Sequence, residues 1–236
     1  MDIVISVRKQ LRAAADKKTA EISQRFFKEK VKHYGVKSAV VGKIAVLAWR
    51  EVKLHSKNEI FAMCEELYSS DYGEESYIAS DWLPRISQEF EREDLKLFKK
   101  WIAAYVNNWA KCDTFCNHTL GEFLMRFPDS AAEVTQWTAS KNRWLKRAAA
   151  VSFILPAKKG MFLSEAFEVA DALIADKDDL VQKGYGWLLK EESRRHEKEV
   201  FAYVLRHKRE MPRTALRYAI ELMPKTLKKE AMKKGA

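Results

Sequence analysis

The chain has 236 residues and an apolar share of 47%, enough to bury a substantial core, which excludes a disordered protein. Its net charge of +10 is unevenly spread: residues 1–130 carry 21 Lys and Arg against 19 Asp and Glu, whereas residues 131–236 carry 22 against 14. A basic half favours a polyanionic partner, with nucleic acid ahead of an anionic membrane.

The three cysteines, Cys64, Cys112 and Cys116, are odd in number and lack the spacing of a disulfide framework. No apolar run is long enough to cross a membrane, and the first residues do not resemble a secretion signal. We therefore expect a soluble, cytoplasmic protein that does not bind membranes.

Amphipathic segments of about 12–18 residues recur along the chain and predict helices. Alternating strand patterns are scarce, and the best of them, residues 4–7, is weak. The predicted helices cover residues 3–14, 17–33, 37–53, 57–68, 75–89, 93–108, 109–126, 130–138, 141–155, 162–175, 178–193, 197–208 and 212–222. The predicted fold class is all-α.

Pairs of these helices repeat at intervals of roughly 35–40 residues, a spacing typical of two-helix solenoid units. The expected architecture is thus a curved solenoid, or superhelix, with a compact irregular bundle as the alternative. No linker divides the chain, so residues 1–236 are expected to form one domain. The lysine-rich tail after Pro224 is expected to be frayed.

Trp109 and Asp113 are the first candidate site residues. They are four residues apart, so a helix would place the ring and the carboxylate on one face. Asp113 is also the only acidic residue between Asp94 and Glu122. An aromatic ring beside a lone carboxylate in a basic protein suggests a site for a flat, cationic partner. The alternative is a solvated carboxylate or an ion-pair partner for a neighbouring helix.

A zinc site at Cys112, Cys116 and His118 is rejected on geometry, because His118 projects from the opposite side of the same helix. Both cysteines are expected to be small core residues flanking the edge formed by Trp109 and Asp113. No metal and no cofactor are therefore expected.

Three basic segments could bind an anion. On a helix through residues 142–151, Arg143, Lys146 and Arg147 form one tight polar face without an acid among them, although such a cluster is usually just solvated. Further along the chain, Arg213 and Arg217 are one turn apart at a helix start that follows Pro212, a position suited to phosphate.

The third basic segment contains Lys183, Gly184, Gly186, Trp187 and Lys190. Each glycine costs a helix about 1 kcal/mol relative to alanine, so a close backbone approach to another helix or to a ligand should compensate. Trp187 falls on the lysine side of this helix, which favours an exposed functional ring over the default of core packing. The sequence contains no phosphate-binding glycine loop and no HExxH or GxSxG motif.

Together these segments resemble the AlkD-type DNA alkylation-repair glycosylases, a family built from HEAT-like repeats. The resemblance runs from about residue 20 to residue 223, and its segments occur in the family's order and spacing. It rests on Trp109-x-x-x-Asp113, Asn142-Arg143-Trp144-Leu145-Lys146-Arg147-Ala148-Ala149, Val181-Gln182-Lys183-Gly184-Tyr185-Gly186-Trp187-Leu188-Leu189-Lys190-Glu191 and Pro212-Arg213-Thr214-Ala215-Leu216-Arg217.

The resemblance implies a base-excision-repair enzyme that hydrolyses the N-glycosidic bond of N3- and N7-alkylated purines in duplex DNA. It implies that Asp113 is the catalytic carboxylate, that Trp109 and Trp187 embrace the damaged nucleotide, and that Arg147 lies at the phosphate-contacting face. One departure concerns Phe27, where the family often has a tyrosine, so any hydrogen bond from that hydroxyl is lost.

The DNA-binding residues expected from the basic segments and the resemblance are Phe27, Arg143, Lys146, Lys183, Lys190, Arg213 and Arg217. A monomer is expected, because a solenoid that wraps DNA needs no second copy. Two alternatives stay open: a non-catalytic helical-repeat protein that binds bent or branched DNA through the same basic face, and a solenoid that recognises an acidic protein.

Overall fold

The structure is a computed structural model that describes residues 2–233. Within those residues every regular element is a helix, apart from one isolated bridge between Lys32 and Tyr72. The all-α prediction is confirmed. The chain divides into two compact units, Met1–Phe115 and Cys116–Ala236, which are described separately below. That the whole chain behaves as one domain stays a prediction.

The first unit consists of helices joined by short loops, with one 3-10 segment at Leu83–Glu89. Its helices are α1 (Ile3–Ala13), α2 (Lys17–Gln24), α3 (Ser38–Val52), α4 (Lys57–Ser69), α5 (Gly73–Trp82), α6 (Asp94–Tyr105) and α7 (Trp109–Thr114). Helix α3 packs on α1 and α5, and α4 packs on α5 and α6. Each of these helices therefore contacts neighbours one or two steps away, as in two-helix repeats.

The core of the first unit is rich in aromatic rings, including Phe61, Phe98, Trp101 and Phe115. The rings of Phe98 and Phe115 meet edge to face at 5.7 Å, a geometry that aromatic pairs prefer. Phe115 directly follows α7. Its burial therefore anchors the end of the helix that carries Trp109 and Asp113.

The second unit begins with the π-helical segment Phe115–Leu120, whose first residue belongs to the first unit. Short 3-10 segments lie at Pro128–Ser130 and Trp137–Ala139. Its helices are α8 (Gly121–Arg126), α9 (Ala131–Gln136), α10 (Arg143–Val151), α11 (Ile154–Ala157), α12 (Leu163–Leu173), α13 (Asp179–Glu192), α14 (Glu197–His207), α15 (Arg213–Ala219) and α16 (Lys225–Met232). Helix α13 is central and packs on α10, α12 and α15.

Several helices begin where their capping residues predict. Asp16 caps α2 through the backbone N–H of Thr19, and Ser56 and Glu59 form a reciprocal capping box at the start of α4. Helix α13 begins at Asp179, one residue after its predicted start, and the Asp178 carboxylate caps it by accepting from the backbone N–H groups of Leu180 and Val181. Helix α15 begins at Arg213, one residue later than predicted from Pro212.

Several predictions about elements need correction. The helix expected over residues 75–89 ends at Trp82 and is followed by the 3-10 segment Leu83–Glu89, and the helix expected over residues 141–155 is divided into α10 and α11. The helix expected over residues 17–33 ends at Gln24, because the Gln24 side chain folds onto the following loop, donating to the carbonyl of Glu29 and accepting from the N–H of Val31. The tail after Pro224 was expected to fray, yet Lys225–Met232 form a helix whose Ala231 is fully buried; residues 234–236 of that tail lie outside the described residues. Within residues 2–233, no helix is both long and apolar enough to span a bilayer.

Candidate functional site

Trp109 and Asp113 lie one turn apart on α7, as predicted. Asn108 starts this helix by accepting from the backbone N–H of Lys111 at 3.0 Å. Cys112 and Cys116 are fully buried, which confirms their assignment to the core, whereas Asp113 is partly exposed. The π-helical segment begins two residues after Asp113, and such segments are frequent at functional sites.

The indole ring of Trp109 is held from two directions. Its face stacks on Phe27, with ring centroids 5.3 Å apart and planes inclined by 21°. Its Nε1 donates a hydrogen bond to the backbone carbonyl of Phe26 at 3.2 Å. Phe27 lies in the loop after α2, not in the helix that the sequence predicted, and the loop thereby orients Trp109.

Lys111 contributes to the structure of this region and not to its exposed charge. Its side chain is only 3% exposed, and Nζ donates to the Asp71 carboxylate at 2.6 Å and to the Asp71 carbonyl at 3.1 Å. Burial would raise the pKa of Asp71, but the hydrogen bonds from Lys111 and Asn107 lower it overall. The ammonium of Lys111 thus binds Asp71. Asp113 lies on the same helix, one turn from Trp109.

A cavity of about 290 Å³ lies beside Trp109 within the first unit. Phe27 and Trp109 are among its walls, together with His33, Ser38 and Glu74, which the sequence prediction missed. Gly35 and the acidic pair at 74–75 could have signalled this region. Gly35 adopts a φ of 83°, and its backbone N–H, like that of Val36, donates to the buried Glu74 carboxylate.

In the second unit, Arg147 packs against α13 at Gly184, which has no side chain. A methyl group added to Gly184 would be 3.4 Å from Cγ and 3.6 Å from Nη1 of Arg147. Arg147 is only 5% exposed, and its Nη1 donates to the carbonyl of Leu180. The predicted polar face on α10 therefore needs correction at this residue, because the missing side chain of Gly184 lets the guanidinium pack inward.

The two neighbours of Arg147 on that face are paired with acids from the start of α13 and the residues before it. Arg143 Nε lies 2.7 Å from the Asp178 carboxylate, and Lys146 Nζ lies 2.7 Å from the Asp176 carboxylate. Burial would raise the pKa of Asp176, but the hydrogen bonds from Lys146 and from the Asp178 backbone lower it. The acidic partners of these two cations are thus absent from α10 itself and lie about thirty residues later in the chain.

Trp187 is half-buried on α13, and its Nε1 donates to the Glu191 carboxylate at 3.1 Å. Gly186, next to it, explains the second glycine of the motif. A Cβ atom at Gly186 would lie 2.8 Å from both the carbonyl oxygen of Ala215 and the Cβ of Tyr218. The predicted close approach at this glycine is therefore a contact between helices α13 and α15.

The remaining basic residues that we expected to bind DNA differ in whether an acidic side chain already pairs with them. Lys183 pairs with Asp179 and Lys190 with Glu221, both at 3.3 Å or less. Arg213 and Arg217 are exposed, and neither side chain has a hydrogen-bond or ion-pair partner within residues 2–233. These two arginines are the most accessible of the predicted phosphate-binding residues.

A protein-family model described as DNA alkylation repair enzyme matches residues 7–223. The solved structure titled "Predicted DNA alkylation repair enzyme from Enterococcus faecalis" superposes with a TM-score of 0.79, covering 89% of this chain and 97% of that one at 17% sequence identity, which shows a shared fold. No curated protein sequence is significantly similar. The family match over most of the chain shows that this protein belongs to the DNA alkylation repair enzyme family.

Proposed function

We propose that the protein is a DNA glycosylase that hydrolyses the N-glycosidic bond of cationic N3- and N7-alkylated purines in duplex DNA. The observation that carries this proposal is the placement of a partly exposed carboxylate, Asp113, one helical turn from Trp109. The ring of Trp109 is held in place by Phe27 and by the carbonyl of Phe26. Membership of the alkylation-repair family supports the same chemistry.

The lesion itself supplies much of the driving force. Alkylation at N3 or N7 gives the purine a positive charge, so the base accepts the electron pair of the breaking C1′–N bond and leaves as a neutral molecule. No strong general acid is needed for this departure. The difficult species is the sugar, which becomes an oxocarbenium-like cation as the bond breaks.

Asp113 would act on that sugar. A carboxylate stabilises the developing positive charge, and the same group can orient a water molecule for attack at C1′. The water oxygen forms the new bond to C1′, and its proton passes to Asp113 or to solvent. The product is an abasic site together with the free base.

The aromatic residues would favour charged lesions over normal bases. The π face of a tryptophan attracts a nearby cation by about 0.5–2 kcal/mol, depending on solvent exposure. Trp109 and Trp187 would each contribute in this way. Phe27 keeps one face of Trp109 covered, which leaves less of the ring available and fixes its plane.

DNA binding would depend on the basic residues to different degrees. Arg213 and Arg217 are exposed and need only meet a phosphate. Arg143, Lys146, Lys183 and Lys190 each have a carboxylate partner, so a phosphate must compete with that acid. Arg147 stays a proposed contact at the phosphate face, and because it is only 5% exposed, its side chain must become more accessible to make that contact.

The test is release of 7-methylguanine from a methylated duplex, followed by strand cleavage at the resulting abasic sites. The undamaged duplex of the same sequence is the matched substrate control. We expect free base and abasic sites in equal amounts from the methylated duplex only. Tight DNA binding without any base release would instead support the non-catalytic alternative.

A further inference from the structure

Residues 70–74, which join α4 to α5, contact both segments that hold Trp109 in place. The side chain of Asp71, in this turn, binds the start of α7. The residues that follow Asp71 bind the loop after α2, which carries Phe26 and Phe27. None of the site residues expected from the sequence lies in this turn, so its link to the reaction is a separate question.

Asp71 makes three hydrogen bonds with residues at the start of α7. Lys111 Nζ donates to its carboxylate at 2.6 Å and to its backbone carbonyl at 3.1 Å, and Asn107 Nδ2 donates to the same carboxylate oxygen at 2.7 Å. Hydrogen bonds between charged groups are stronger than neutral ones, and the Lys111 side chain is only 3% exposed. These contacts, termed the Asp71 tether, hold the chain on both sides of Trp109.

The same turn also holds the loop after α2. The backbone N–H of Gly73 donates to the carbonyl of Lys32 at 3.0 Å, and the ammonium of Lys32 lies 3.7 Å from the second carboxylate oxygen of Asp71. The Glu74 carboxylate accepts from the backbone N–H of Gly35 at 2.9 Å. The turn therefore connects the start of α7 with the end of the loop.

The backbone conformation of Asp71 indicates that its side chain has a specific use. Its φ is 68°, in the left-handed region, which is unfavourable for residues other than glycine and is tolerated best by asparagine and aspartate. Residues held in such conformations are enriched at functional segments. Glycine would form this turn without strain, so what aspartate adds is the carboxylate that binds α7.

We propose that Asp71 is a positioning residue for base release, which ties α7 to the loop after α2 and thereby sets the place of Trp109 and Asp113. The inference rests on the proposed glycosylase activity, because the place of Asp113 matters for rate only if it acts on the sugar. Asp71 acts through the start of α7 and not by contact with the lesion. A displacement of about 1 Å at a reacting centre can slow a reaction by about a hundredfold, so a tether outside the site can govern its rate.

The first experiment measures single-turnover release of 7-methylguanine from a methylated duplex by Asp71→Gly. Glycine suits the φ of 68° and removes every side-chain contact with α7. We expect the rate to fall by at least about tenfold with duplex affinity retained, and Asp71→Asn, which keeps an acceptor oxygen, to recover part of the rate. Asp81→Asn is the control for loss of an ion pair, because Asp81 pairs with Arg85 and not with α7; it should release base at the parent rate.

A double variant separates positioning from stability. Loss of the carboxylate leaves the buried ammonium of Lys111 without its partner, which by itself destabilises the fold. Asp71→Gly combined with Lys111→Met removes both charges and should recover much of the free energy of unfolding. The rate should stay low, because the start of α7 is still untied. Recovery of the parental rate together with stability would overturn the positioning role.

Amide hydrogen exchange tests the Asp71 tether without DNA. Residues 109–114 should exchange faster in Asp71→Gly than in the parent or in Asp81→Asn, because the contacts that hold α7 are lost. Equal exchange in Asp71→Gly and the parent would overturn the proposal, as would base release by Asp71→Gly at the parent rate. Faster exchange in Asp71→Gly, with no base release by the parent itself, would refute the glycosylase and leave the tether standing.

Discussion

The rings of Phe27 and Trp109 are stacked at 5.3 Å, so a residue from the loop after α2 fixes the tryptophan that neighbours Asp113. The two residues are 82 positions apart in the chain, and the hydrogen bond from Trp109 Nε1 to Phe26 reinforces their contact. The orientation of the candidate catalytic region therefore depends on a loop and not on α7 alone.

Removal of this contact should affect both stability and catalysis. We expect Phe27→Ala to lower the free energy of unfolding by at least the stacking contribution of about 0.5–1.5 kcal/mol and to slow base release, because Trp109 loses its support. Phe27→Tyr keeps the ring and is the control. Urea unfolding and single-turnover rates would measure the two effects; identical rates for Phe27→Ala and the parent would show that the stacking is irrelevant to activity.

Two glycines in helices should respond in opposite ways to alanine. At Gly186 the new methyl group would lie 2.8 Å from Ala215 and Tyr218, so we expect α13 and α15 to separate at a cost of about 1–3 kcal/mol. Gly42 in α3 has nothing within 4 Å of the same position, and Gly42→Ala should stabilise the protein by about 0.5–1 kcal/mol. Denaturant titration would measure the free energy of unfolding of both variants. Equal changes for Gly186→Ala and Gly42→Ala would contradict the packing described for α13.

Glu192 should make stability depend on pH. The residue is fully buried, and neither carboxyl oxygen has a hydrogen-bond partner within the described residues. Burial, reinforced by the charge of Glu165, raises the pKa of Glu192 to about 8 from an ordinary value of 4.5. Between these values the folded protein holds a proton that the unfolded chain has lost.

The contribution of Glu192 to stability is therefore fully present below pH 4.5 and disappears as the pH rises through about 8. The slope is at most about 1.4 kcal/mol per pH unit. Glu192→Gln should flatten this part of the stability curve, measured as the free energy of unfolding from pH 5 to 8. Glu168→Gln, at an exposed position on α12, is the control; parallel curves for Glu192→Gln and the parent would exclude Glu192 as the source.

The salt dependence of DNA binding should separate the exposed arginines from the buried one. Arg217→Ala removes an accessible cation, so the slope of log K against log salt should become shallower by about one. Arg147→Ala should change the slope less and should lower stability, because it removes a buried side chain together with its hydrogen bond to the Leu180 carbonyl. A larger change in slope for Arg147 than for Arg217 would reverse this ranking of phosphate contacts.

The sequence predicted well what depends on local periodicity. Trp109 and Asp113 share a face of one helix because four residues make about one turn, and α13 begins within one residue of its predicted start. The contacts of Arg147 could not be predicted in this way. Its burial depends on the missing side chain of Gly184, 37 residues later, and no pattern within α10 reports that space.

The limits of α2 and α16 have similar explanations. Residues 25–33 have helix-forming composition, but the Gln24 amide bonds to the backbone of Glu29 and Val31 and holds a loop instead. Lysine-rich composition suggested a frayed tail, whereas burial of Ala231 stabilises α16. In both cases tertiary contacts override local propensity.

Asp113 is proposed to stabilise the sugar cation, and this role is measured by the single-turnover rate of 7-methylguanine release by Asp113→Asn at saturating protein. The amide is nearly isosteric but uncharged, so we expect a loss of at least about a hundredfold with duplex binding retained. Asp129→Asn, which removes an exposed carboxylate from the segment Pro128–Ser130, should release base at the parent rate. Base release by Asp113→Asn as fast as by the parent would show that Asp113 does not stabilise the sugar cation.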